Sequence, residues 1–70
     1  MKHITQATQA GYEAAINNQM RAPALNTVIR SLIATNVFTH AETMNIFQAF
    51  VLGYETRITE VCNAMLAEEA

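Results

Sequence analysis

The residues able to do chemistry are few, and their spacing does not assemble a reactive site. His3 and His40 are the two histidines, and Cys62 is the single cysteine. Neither histidine has a second histidine or a cysteine at ligand spacing, which argues against a metal site. No histidine or basic residue flanks Cys62 to activate its thiol as a nucleophile. We expect Cys62 to be a small buried hydrophobic residue.

The carboxylates do not form a catalytic pair either. Glu55 and Glu60 are too far apart to share one helix face well, and Arg57 lies between them. Arg57 and Glu60 can pair at three-residue spacing, which is typical of a solvated surface pair. The sequence contains neither a glycine-rich phosphate loop nor a Ser–His–acid set. We therefore expect a protein that is not an enzyme and that needs no metal and no cofactor.

The composition of the chain argues against nucleic acids and membranes as partners. The chain has 70 residues, 51% of them hydrophobic, and a net charge of −2. This charge gives no long-range attraction for a nucleic-acid backbone and no basic stripe for an acidic membrane surface. The first six residues lack the apolar core of a secretory signal, and the most apolar window, 46–54, is too short to span a bilayer. We expect one soluble, cytoplasmic domain, 1–70.

The small size of the chain favours assembly. A domain of this length buries only roughly 60% of its unfolded surface. Small proteins supplement such a core with disulfides, metals or oligomerisation. One cysteine allows no bridge within the chain. Oligomerisation is therefore the favoured supplement.

The elements that must position these residues are helical. Three helices are predicted, over about 5–20, 23–35 and 40–67, with the last the longest. Gly11 costs the first helix about 1 kcal/mol relative to alanine, and close packing would explain it. Pro23 forces a boundary and suits the first turn of the second helix. Apolar residues with regular three-four spacing follow it: Leu25, Val28, Ile29, Leu32 and Ile33.

A local motif marks the start of the third helix. Thr39 and Glu42 match a capping box, in which the hydroxyl accepts from the Glu42 N–H and the carboxylate accepts from the Thr39 N–H. Such a cap contributes about 1 kcal/mol.

The third helix carries two overlapping apolar stripes. The first is a heptad seam of Met44, Phe47, Val51, Tyr54, Ile58, Val61 and Met65. The second overlaps its first half, so the helix is apolar nearly all round over 44–54 and needs cover on more than one side. The first two helices can cover one stripe, which leaves the other for a second molecule. The second half of the seam is expected to pack against those two helices or against a partner's seam.

These patterns predict a helical homo-oligomer, with a twofold dimer as the simplest form. The predicted self-association interface consists of Ile46, Ala49, Phe50, Gly53 and Arg57. The alternative is that the same side chains form the core of a monomer.

Two other functions remain open at this point. A small-ligand (nucleotide) sponge would place a pocket between subunits, lined by Asn17, Gln19, Arg21 and Arg30. A DNA-binding regulator would use the second and third helices as a helix-turn-helix, but Asn45 is almost the only base-reading side chain of its recognition helix. No Arg or Lys follows until Arg57, so nucleic acid is disfavoured.

In overall style the chain resembles small all-helical accessory proteins of temperate bacteriophages and prophages. The features that carry the resemblance are the amphipathic helix at 25–33, the cap at 39–42, the apolar run at 44–54 and the Met1-Lys2 start. The resemblance implies a non-catalytic protein that binds and modulates a protein of the phage or of its host.

Overall fold

The computed structural model describes residues 2–69, and these form three α-helices without any strand. The helices are α1 (Lys2–Ile16), α2 (Thr27–Thr35) and α3 (His40–Glu69), and a single 3-10 turn, Pro23–Leu25, precedes α2. The all-α class and the greater length of the third helix are confirmed.

The first helix ends earlier than the predicted boundary at residue 20. Asn18 takes up a left-handed conformation with φ of 56°. The Gln19 N–H then donates to the Ala14 carbonyl over 2.8 Å. This is the hydrogen bond of a Schellman-type C-terminus, in which asparagine is the common substitute for glycine. The chain therefore leaves the helix after Ile16, four residues before the predicted end.

The predicted second helix, 23–35, is split in two. Pro23 begins a 3-10 turn rather than an α-helix. The Asn26 side chain then caps α2, because its oxygen accepts from the backbone N–H of Val28 at 3.0 Å and of Ile29 at 3.2 Å. Asparagine is among the best N-cap residues, and this local cap sets the true start of the helix.

The predicted cap of the third helix is confirmed. The Thr39 N–H donates to the Glu42 carboxylate at 3.0 Å, and the Glu42 N–H donates to the Thr39 hydroxyl at 3.1 Å. Both halves of the capping box are therefore made, and α3 begins at His40 as expected.

The helices α1 and α3 run in the same direction. At one end the ring of His3 packs edge-on against Phe38, with centroids 5.1 Å apart. Further along, the Tyr12 hydroxyl donates to the Glu60 carboxylate. Because α1 and α3 are parallel, α2 runs antiparallel to both of them.

The long helix projects beyond the other two. At 1.5 Å per residue, the 30 residues of α3 rise about 45 Å and the 15 of α1 only about 22 Å. The molecule is correspondingly elongated, with extents of 48 × 19 × 16 Å. We call the part formed by α1, α2 and the facing length of α3 the body, and residues 58–67 of α3 the tail.

The core lies between α1 and α3, with α2 against it. Small side chains of α1 meet larger ones of α2 and α3; the clustered buried residues are Ala7, Ala10, Ala14, Ile29, Ile46, Ala49 and Phe50. Within the described residues no buried polar side-chain atom lacks a hydrogen-bond partner. Half-buried Leu32, Phe38 and Phe47 pack around this cluster.

Candidate interaction surfaces

The stripe predicted for self-association is covered within the single chain. Ile46, Ala49 and Phe50 are at most 7% exposed, and Gly53 is buried as well. The cover is α1 of the same molecule, so in this structure the stripe is not left free for a second molecule. This corrects the assignment of faces made from the sequence: α1 takes the stripe of small residues.

Two glycines explain why α1 fits there. A Cβ on Gly11 would overlap the Phe50 carbonyl oxygen, and a Cβ on Gly53 would overlap the Thr8 carbonyl oxygen. The two backbones therefore approach more closely than side chains at these positions would allow. The close packing expected at Gly11 is confirmed, and its partner surface is the Ala49–Gly53 face of α3.

Arg57 also acts within the chain. It is half-buried, and its guanidinium lies 5.9 Å from the centroid of the Tyr12 ring. Its Nη1 is 3.8 Å from the Glu60 carboxylate, which also accepts a hydrogen bond from the Tyr12 hydroxyl. The expected Arg57–Glu60 pair is present, and it joins α3 to α1 through Tyr12.

The longest run of exposed apolar residues on α3 lies in its tail. Ile58 is 45% exposed, Val61 38%, Met65 58% and Leu66 63%, and Cys62 is exposed among them. Spacings of three and four place all five on one helix face, which we call the tail stripe. It continues the heptad seam, whose three preceding members are half-buried in the body. Cys62 is thus not the buried residue that was expected.

A second open surface lies between α1 and α2. These two helices touch only sparingly, and a groove of about 710 Å³ separates their outer faces. Its apolar floor includes Ala10, Val28 and Leu32, and Val28 is half exposed. Amide and hydroxyl side chains flank this floor, with Glu13 as the single charged residue of the lining. We call this surface the α1–α2 groove.

The sequence pattern indicates the tail stripe in part, but it does not indicate the α1–α2 groove. The seam residues of the tail were recognised, but their exposure depends on α1 ending at Ile16. The predicted lengths of the first and third helices already differed by more than ten residues. The α1–α2 groove could not be inferred, because it depends on how far apart two helices lie.

The residues considered for catalysis or metal binding are not brought together. Among the described residues no group of three His, Cys or Glu side chains has the arrangement of a metal site. The hydrogen bond from the Thr39 N–H is the main cause that holds the pKa of the Glu42 carboxyl below its usual range, and the Thr39 side chain adds to it. This is the electrostatics of a helix cap rather than of a general base.

The positions proposed for a small ligand are only partly clustered. Gln19 lines a hollow of about 310 Å³ beside the 3-10 turn, but Asn17, Arg21 and Arg30 do not line it. Arg21 instead forms an ion pair with Glu55 at 2.7 Å. One of the two arginines proposed for the ligand is therefore already paired with a carboxylate.

The apolar content of the helices is also below that of a bilayer span. Over residues 2–69 no helix combines the length and the hydropathy that a crossing requires.

Comparison with known proteins adds no relative from which residues could be transferred: no protein family, curated protein or solved structure matches the chain.

Proposed function

We propose that this chain is a non-catalytic helical interaction protein that self-associates and, in that form, binds or modulates another protein. The observation that carries the proposal is the tail stripe. Its Ile58, Val61, Met65 and Leu66 side chains are 38–63% exposed on a helix that projects from the body. Contiguous apolar surface of this kind marks protein contact sites.

The tail has the form of a helix that docks on another protein. An amphipathic helix binds a groove through apolar residues at positions i, i+3, i+4 and i+7, a pattern that Ile58, Val61, Cys62 and Met65 reproduce. No charged side chain interrupts these positions, so burial of the stripe desolvates no ion. The resemblance to bacteriophage accessory proteins extends the proposal to a cytoplasmic host or phage protein as the further partner.

Sedimentation equilibrium from low micromolar to near-millimolar concentration tests self-association directly. The full chain is expected to shift from monomer to dimer over this range. A Val61→Glu, Met65→Glu double variant is expected to stay monomeric, because it places two charges in the stripe.

The matched control is Asn63→Glu, which adds a charge to the same stretch of α3 at an exposed position outside the tail stripe. It is expected to associate like the unmodified chain. A full chain that remains monomeric at every concentration removes the self-association part of the proposal.

A further inference from the structure

Two apolar surfaces of this molecule are open at once, and one chain cannot bring them together. The tail stripe lies on the projecting end of α3, and the α1–α2 groove lies on the body. Because α3 is one continuous helix from His40 to Glu69, it carries the tail away from its own body. Only a second molecule can place a tail in this groove.

The two surfaces match in length. Ile58 to Leu66 rises about 12 Å along α3 at 1.5 Å per residue. The groove lining runs from Thr5 to Glu13 on one wall and from Thr27 to Thr35 on the other. Each wall therefore also spans about 12 Å of helix. One tail stripe is as long as one groove.

Their chemistry also matches. The groove has an apolar floor with an almost uncharged rim, in which Gln9 donates to Glu13 at 3.1 Å. The tail stripe is apolar from Ile58 to Leu66. Seating the stripe there covers Val28, and Glu13, the one charged residue of the lining, already accepts a hydrogen bond from Gln9.

The directions of the helices allow each of two copies to place its tail in the groove of the other. The tail leaves the body at the end that carries the connection between α1 and α2, where Tyr54 donates to the Gln19 carbonyl at 2.7 Å. In a twofold pair of inverted copies, the two bodies meet at this end, and each tail runs along the other body. Met20 and Leu25, which are 70% and 63% exposed in the same connection, would then lie between the bodies.

Surface area favours this pairing over contact between the two tails. A fully buried aliphatic side chain removes about 60–120 Å² from water, so two half-exposed stripes facing each other would bury only about 400 Å². Stable interfaces bury about 1,200 Å² or more. Two tail-to-groove contacts with the ends of both bodies bring the total to roughly 1,000 Å², close to that threshold.

We propose that the partner of the tail stripe is the α1–α2 groove of a second copy, in a reciprocal twofold dimer. This inference rests on the proposed self-association and names its receiving surface. The same groove would be occupied in the dimer and vacant in the monomer, so any other helical ligand of the groove would compete with dimer formation.

Sedimentation of a groove variant tests the inference. Val28→Glu places a charge on the floor, and the fold is expected to tolerate it because Val28 is half exposed and in the first turn of α2, where acidic residues are favourable. The variant is expected to be monomeric. Ala34→Glu, an exposed change on α2 outside the groove lining, is the matched control and is expected to dimerise.

A mixing experiment separates the possible outcomes. The Val28→Glu chain keeps its tail, and the Val61→Glu, Met65→Glu chain keeps its groove. Mixed together, they are expected to form a heterodimer through one remaining contact, weaker than the native dimer by at least tenfold in Kd. Dimerisation of Val28→Glu alone overturns the groove assignment but leaves self-association standing. A native chain that is monomeric throughout overturns both.

Disulfide trapping gives a second readout that does not depend on a destabilising change. Ser31 lines the groove, and Cys62 lies on the tail stripe. With oxidised glutathione as the oxidant, a Ser31→Cys chain is expected to form a covalent dimer that peptide mapping shows to be linked from residue 31 to residue 62. Linkage from 62 to 62 in a dimeric sample would contradict the inference, and so would a dimeric sample without the 31–62 bond.

Discussion

Gly11 of α1 lies directly against the backbone carbonyl of Phe50 in α3, with no room for a side chain between them. Gly53 makes the reciprocal approach to the carbonyl of Thr8. The helix pair is thus held at a spacing that only glycine allows at either point. Such close contacts permit Cα–H···O interactions as well as dense packing of the neighbouring alanines.

The first prediction concerns these glycines. Gly11→Ala and Gly53→Ala are each expected to lower the free energy of unfolding by about 1–3 kcal/mol, because an extra methyl overpacks the interface. Alanine's better helix propensity, about 1 kcal/mol, offsets only part of this. Urea denaturation measures the difference. Asn63→Ala, exposed on the same helix, serves as the control and is expected to change stability by less than about 0.5 kcal/mol.

The second prediction concerns the N-cap of α3. Thr39→Ala is expected to cost about 1 kcal/mol, because the Glu42 N–H loses its acceptor. Thr39→Ser keeps the hydroxyl and is expected to retain most of the stability. Thermal melts followed by circular dichroism compare the three proteins. Equal losses in both variants would show that the methyl group, not the hydrogen bond, carries the effect.

The third prediction is a pH dependence from the same cap. The hydrogen bonds of Thr39 lower the pKa of Glu42 in the folded state. The stability that the ionised Glu42 carboxylate contributes is therefore complete above the pKa that Glu42 has in the unfolded chain. This stability is lost as the pH falls through the pKa of Glu42 in the folded state. The difference in Tm between the native chain and Glu42→Gln is expected to narrow from pH 7 towards pH 3. A difference that stays constant over this range would contradict the assignment.

The fourth prediction separates Arg57 from association. Arg57→Ala removes the contact with the Tyr12 ring and the pair with Glu60. The expected loss of stability is below about 1 kcal/mol, since both interactions are partly solvated. Light scattering is expected to give an unchanged oligomer mass at matched concentration. An Arg57→Ala chain that remains folded but is monomeric would contradict this prediction and would place Arg57 in the self-association interface.

Local motifs were the most predictable part of the fold. The cap at Thr39 and Glu42 depends on four consecutive residues, and the structure contains both of its hydrogen bonds. The boundary errors are local as well. Asn18 ends α1 by taking up a left-handed conformation, and α2 begins after the N-cap residue Asn26 rather than at Pro23. Asparagine favours helix ends, but Asn45 and Asn63 lie inside α3, so the residue type alone does not mark a boundary.

The choice of face on α3 was beyond local reasoning. Over 44–54 the helix is apolar nearly all round, so periodicity alone does not say which stripe meets α1. The decision lies in the fit between Gly11 and the Ala49–Gly53 surface, which are about forty residues apart in the chain. In the structure α1 covers that surface, and most of the exposed seam residues lie further along the helix, in the tail.

The projecting tail also has a consequence for the local stability of α3. All side chains from Val61 to Ala67 are exposed, so this stretch is held within one chain mainly by its own backbone hydrogen bonds. Short helical stretches without tertiary cover open readily in water. Amide protons there are expected to exchange with solvent at the free energy of local fraying, and those around Phe50 only at that of global unfolding. Any partner that covers the stripe also suppresses this fraying, so its affinity includes the entropy of ordering the end of the helix.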